Sequence, residues 1–169
     1  MVKAMEIERK WNVSGWPYSL VPSKVYLMEQ GYISTAPTVR IRKEEIKGGK
    51  TEYVLCFKGK PDESGLSREE IETLIDEELF GKLKKLIGKP LISKVRNTYI
   101  LDGGLELEVN LVDEGLDTEF FYAEIEFETE EEARGWKPYN EELSAYLSDE
   151  CTGKPGASMA AYWIETRRP

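Results

Sequence analysis

Short runs in which apolar and polar residues alternate recur along the chain, at residues 6–13, 26–34, 38–46, 51–58, 67–73, 92–101, 105–112 and 120–129. Alternation with a period of two sends successive side chains to opposite faces of an extended strand, so each run predicts a β-strand. Turn-forming residues separate several of them: 47–50 with Gly48 and Gly49, 59–65 with Pro61 and Asp62, and 102–104 with Gly103 and Gly104. The first and third of these are expected to be hairpin loops. Residues 77–87 break the alternation, because Leu79, Phe80, Leu83, Leu86 and Ile87 recur at helical spacing and the run stops before Gly88 and Pro90. Further helices are expected at 130–134, 141–147 and 157–164.

The polar positions of these strands are sorted by sign. Glu6, Glu8 and Lys10 alternate with Ile7, Arg9 and Trp11, and Arg40 and Arg42 with Val39 and Ile41. Glu106 and Glu108 alternate with Leu105, Leu107 and Val109, and Glu124 and Glu126 with Ile125 and Phe127. Arg68, Glu70 and Glu72, and likewise Lys94 and Arg96, follow the same period. An antiparallel sheet with a solvated outer face and an ordinary apolar core also reads this way. Solvated faces, however, usually mix signs, whereas doublets such as Arg40 with Arg42, Lys94 with Arg96 and Glu106 with Glu108 set like charges about 7 Å apart along a strand. They repel unless opposite charge lies between them. The alternative is a mainly β (α+β) fold: a closed eight-stranded antiparallel β-barrel with a polar lumen and an apolar outer face partly covered by the helices. Lumen carboxylates would hold a hard divalent cation through oxygen, lumen cations would hold phosphate, and the metal would bridge the two.

Composition narrows the chemistry. The 169 residues are expected to form a single domain spanning 1–169, and with 40% hydrophobic and 33% charged residues the chain should fold. A net charge of -9 argues against a general nucleic-acid binder, so any polyanion must be met locally. There is no histidine, which removes the commonest general base and every Ser-His or Cys-His nucleophile arrangement. Carboxylates, lysines and arginines are left.

Glu6 comes too early for a signal peptide, and no apolar run approaches the length of a membrane span. Cys56 and Cys151 are accordingly read as reduced thiols in a cytoplasmic protein, and Cys56 as a buried, inert one. Trp11, Trp16, Trp136 and Trp163 are read as core or lid residues. The glycine pairs lack the spacing of a P-loop, and the acidic run 128–132 lacks the spacing of an EF-hand and reads as the start of a helix.

The order of these motifs resembles the CYTH superfamily, the triphosphate tunnel metalloenzymes. Glu6-Ile7-Glu8-Arg9-Lys10 resembles the family's amino-terminal Glu-x-Glu-x-Lys signature. Arg40-Ile41-Arg42, Phe57-Lys58-Gly59, Arg68 with Glu70 and Glu72, Lys94 with Arg96, Glu106 with Glu108, and Glu124-Ile125-Glu126 follow in the family's order, over roughly residues 5 to 160. The resemblance implies a tunnel-shaped barrel, Mg2+ or Mn2+ as cofactor, and a small-molecule triphosphate as substrate: inorganic tripolyphosphate, or thiamine or nucleoside triphosphate. It implies Glu6, Glu8, Glu124, Glu126 and Glu108 as metal ligands. Lys10, Arg40, Arg42, Lys58, Arg68, Lys94 and Arg96 would be the phosphate contacts, and Glu6, Glu8, Lys10, Glu70 and Glu72 the catalytic set.

Two departures from the family pattern stand out. Glu108-Val109-Asn110 fits the late acidic strand as well as Glu106-Leu107-Glu108 does, and Gly156 and Ser158 replace a Tyr and an Asn in the closing segment. Hydrolysis of the terminal phosphoryl group is the expected reaction; cyclisation of ATP to cyclic AMP and non-catalytic polyphosphate binding are the alternatives. No nucleic-acid or membrane partner is expected, and a monomer or homodimer fits equally.

Overall fold

The computed structural model describes residues 5–167. Nine strands and four helices follow one another as β1 (Met5–Val13), β2 (Lys24–Thr35), β3 (Thr38–Ile46), β4 (Thr51–Lys58), β5 (Ser67–Ile75), α1 (Glu77–Ile87), β6 (Ile92–Ile100), β7 (Glu106–Val112), β8 (Phe120–Glu126), α2 (Glu130–Gly135), α3 (Glu141–Tyr146), β9 (Asp149–Glu150) and α4 (Met159–Thr166). All eight expected strands form, with ends shifted by up to three residues. The two-residue β9, which pairs with Trp11 and Asn12, was not expected. Two residues are too few to carry a period.

The sheet runs β5-β4-β3-β2-β6-β7-β8-β1, every pairing antiparallel, and closes where Met5, Glu6 and Ile7 pair with Glu69, Arg68 and Ser67. The result is the expected closed eight-stranded barrel. Its larger apolar core lies outside the barrel. Trp11, Leu107, Val109, Ala123, Ile125 and Phe127 turn outward and pack with Ala133 of α2 and Leu143 of α3. A second cluster, with Tyr32, Ile92, Val112, Tyr122, Met159 and Trp163, seats α4.

The helix ends follow local chemistry. Asp76 caps α1 by accepting from the Leu79 amide at 2.7 Å, Glu77 and Glu78 sit in the first turn, and Lys84 and Lys85 in the last, each favourable to the helix dipole. Gly88, at φ 67°, closes the helix in the left-handed conformation that glycine adopts without strain. Phe80 then packs on Tyr53 of β4, ring centroids 5.1 Å apart. Thr129 caps α2, so the acidic run does begin a helix.

One close approach shapes the tunnel end. Gly65 and Gly153 both have positive φ, and a Cβ on Gly65 would lie 2.5 Å from the Gly153 Cα. Only glycine lets the 59–66 loop and the 151–158 segment meet there. Among the described residues no helix is long and apolar enough to cross a membrane.

Candidate active site

Because the strands close on themselves, the polar face of each strand points into one shared space. That space is a cavity of about 610 Å³. Glu6, Glu8 and Lys10 reach it from β1, Arg40 and Arg42 from β3, and Lys58 from β4. Arg68, Glu70 and Glu72 come from β5, Lys94 and Arg96 from β6, Glu108 from β7, and Glu124 and Glu126 from β8. Glu106 does not join them; it is exposed at the start of β7 and does not line the cavity. Glu108 and Asn110 share the inward face of β7, since both pair with inward positions of β6 and β8.

Most of the charges are met by opposite ones. Lys58 Nζ donates to both oxygens of Glu6, at 3.0 and 3.2 Å, and lies 3.3 Å from Glu70. Arg42 contacts Glu44 at 2.5 Å and Glu72 at 3.5 Å. Arg96 spends its whole fork: Nε on Asn110 at 2.8 Å, Nη1 on Glu108 at 3.1 Å and Nη2 on Glu124 at 3.5 Å. Arg68 donates twice to the Gly59 carbonyl, which ties it to the end of the tunnel. Lys10 Nζ lies over the Tyr122 ring at 4.2 Å and donates to the Ala157 carbonyl. Arg40 differs, since its buried Nε finds no acceptor among the described residues.

Crowding perturbs the titrations. Burial, the nearby Glu124 and then Glu6 push Glu8 well above the usual carboxylate range, and Glu8 donates a hydrogen bond to Glu124. Burial would raise Glu124 too, but Arg96, Lys10 and Lys94 outweigh it, and Glu124 stays ionised. The two neighbouring carboxylates are thus driven in opposite directions. Lys94 is pushed well below the usual amine range, first by burial and then by Arg96; its Nζ lies 2.6 Å from the Tyr122 hydroxyl. For Lys58 burial and Arg40 work downward, yet Glu6, Glu8 and Glu70 prevail and raise it.

This arrangement fits a divalent cation. Glu8 and Glu124, with Glu6 and Glu126, crowd negative charge at a place lined by carboxylate oxygen, the donor that hard ions take. A further group of possible ligand atoms, Cys56, Glu70 and Glu72, lies on β4 and β5.

Several cavity residues were not foreseen. Tyr122 stands two residues before Glu124, so the period of two already placed it inward; its aromatic character hid it among core candidates. Tyr32 likewise lines the cavity from β2, a strand without the charge doublets that marked the others. The 151–158 segment, where the Thr152 hydroxyl oxygen accepts from the Lys10 amide of β1 at 2.9 Å, carries no periodic signal.

No protein-family model matches the chain, and no curated protein matches it. Solved structures do. The inorganic triphosphatase NE1496 is 25% identical with a TM-score of 0.59, over 96% of this chain and 95% of that one. PH1819 from Pyrococcus horikoshii OT3 is 21% identical with a TM-score of 0.66, over 96% and 99% of the two chains. HpAC1 from Hippeastrum, an adenylyl cyclase candidate with a dominant triphosphatase activity, is 18% identical with a TM-score of 0.61, over 97% of each chain.

Proposed function

For this chain, which has the triphosphate-tunnel fold of the CYTH superfamily, we propose hydrolysis of the terminal phosphoryl group of a triphosphate, with inorganic tripolyphosphate as preferred substrate and Mg2+ or Mn2+ as cofactor. The observation that carries this reading is the sharing of one cavity by the carboxylates of Glu6, Glu8, Glu108, Glu124 and Glu126 and by seven cationic side chains from the strands. Pure anion binding has no use for Glu6, Glu8, Glu124, Glu126 and Glu108 together. Triphosphate hydrolysis does, because its catalysis is mainly positioning and charge neutralisation.

In this reading the cations divide the work. Arg40, whose buried Nε has no acceptor among the described residues, and Arg42, with its planar fork, hold phosphate oxygens; Arg96, whose fork is engaged by Asn110, Glu108 and Glu124, lends its positive charge, Lys10, Lys58 and Lys94 act as point contacts, and Arg68 guards one end. The divalent ion, held by oxygens of Glu6, Glu8, Glu124 and Glu126 with Glu108 beside them, would polarise the phosphoryl oxygens and orient the attacking water. Glu70 and Glu72 keep Lys58 and Arg42 extended into the cavity. The 151–158 segment and α4 cover the site and limit water entry. Water adds at the terminal phosphorus, the bridging P–O bond breaks, and orthophosphate leaves with a shortened chain.

The test is a panel of tripolyphosphate, thiamine triphosphate and nucleoside triphosphates, with products resolved. Orthophosphate from tripolyphosphate at the highest kcat/KM is expected. Conversion of ATP to cyclic AMP and pyrophosphate, without orthophosphate from any substrate, would contradict the hydrolase.

A further inference from the structure

Cys56, Glu70 and Glu72 form a cluster on the inward face of β4 and β5, apart from the carboxylates proposed above to hold the hydrolytic metal. The Cys56 sulfur and one oxygen of each carboxylate all lie within 4.8 Å of one another. Cys56 faces Glu72 across the β4–β5 ladder, and both Cys56 and Glu70 are only 1% exposed. We propose that these three side chains form a second cation site, selective for a borderline transition metal such as Zn2+ or Co2+ over Mg2+.

The donor set decides the selectivity. A thiolate favours zinc and cobalt and is a poor ligand for magnesium, which takes oxygen. Around a tetrahedral zinc with bonds of about 2.0–2.3 Å, ligand atoms stand roughly 3.4–3.7 Å apart. Small side-chain rotations bring the observed set to that spacing. A fourth position points to an anion. Arg40 sits opposite Cys56 on the neighbouring strand, is 8% exposed, and leaves its buried Nε without an acceptor among the described residues. After Tyr32, Cys56 is the group whose charge Arg40 feels most. An anion completing the metal's shell would accept from that Nε. Binding exchanges the thiol proton for the metal: the S–H bond breaks, the sulfur–metal bond forms, the proton leaves to solvent, and no electron moves. Occupancy draws Glu70 and Glu72 away from Lys58 and Arg42, so a thiophilic ion resets two of the tunnel cations.

Cobalt reports the site directly. Titration of the reduced, metal-free full chain with Co2+ should produce a near-ultraviolet sulfur-to-cobalt charge-transfer band that saturates at one equivalent. Zn2+ should remove it and a large excess of Mg2+ should not. The band should survive Cys151→Ser and vanish in Cys56→Ser. Glu72→Gln, which keeps the sulfur and alters only a half-exposed side chain, should weaken Co2+ by at least about tenfold, since even outer-shell partners change metal affinity by about 10- to 100-fold. It therefore decides the matter even if Cys56→Ser fails to fold. Absence of the band in the wild type at saturating Co2+, its persistence in folded Cys56→Ser, or unchanged affinity in Glu72→Gln would overturn the site. The band reads the thiolate and not turnover, so its result is independent of the triphosphatase reading.

Discussion

Glu8 and Glu124 are both half-buried carboxylates on neighbouring strands, yet their surroundings send them opposite ways. Burial and Glu124 push Glu8 upward, while Arg96, Lys10 and Lys94 outweigh burial and lower Glu124. The two should therefore respond differently to the same substitution. Glu8→Gln removes a carboxylate whose ionisation is disfavoured, so its melting temperature should stay near the wild type, while metal-dependent turnover falls by at least about 100-fold. Glu124→Gln removes a charge that Arg96 contacts, and thermal or denaturant unfolding should show a loss of about 2–3 kcal/mol. Equal melting temperatures for the two variants would contradict these opposite shifts. At the phosphate contacts, Arg42→Ala or Lys58→Ala should cost about 2 to 5 kcal/mol in kcat/KM, and Arg42→Lys should also impair it because the fork is lost. These residues were legible because like charges at alternate positions demand a partner. Which carboxylate meets which cation was not legible, since the Lys58 contact to Glu6 depends on β1 closing on β5.

Among the elements, α4 is the one whose docking rests on a named set of polar contacts. Arg167, just past its end, makes a two-pronged contact with Asp113 at 2.7 and 3.1 Å and donates to the carbonyls of Pro90 and Leu91, while Tyr162 donates to Asp113 at 2.6 Å. Burial alone would raise the Asp113 carboxyl, but Arg167, Tyr162 and the Ser93 amide bring it below the usual range. A carboxyl lowered on folding adds stability above its unfolded value and loses it as pH falls through the folded one. Hydrogen exchange should accordingly show α4 opening more readily on acidification below the usual aspartate range, and Arg167→Ala should already show that opening at neutral pH. An α4 equally protected in both would remove this role. Little along the chain marks this latch, because Asp113 lies just past the periodic run 105–112, in a turn where its φ is 49°. The helix boundaries, by contrast, could be read from their caps: Asp76 and Gly88 bracket α1 closely.

For the whole molecule, the decisive question was which face of the strands is inside. Strand period alone allows either answer; segregation of Arg40 with Arg42 and of Lys94 with Arg96 favoured a charged lumen, and the barrel places all four there. The larger apolar core is consequently external, and where no helix covers the outer face, as at Phe57 and Ile71 on paired strands, both side chains are 40% exposed. The barrel's contents then set its chemistry, with carboxylates from β1, β5, β7 and β8 and cations mainly from β3, β4 and β6 sharing one space. The measurement that tests this most directly is orthophosphate release from tripolyphosphate with Mg2+ or Mn2+, in the absence and presence of excess chelator. Release with metal, abolished by chelator and restored on adding metal back, is the predicted result; an undiminished rate in excess chelator, or no release with either ion, would contradict it.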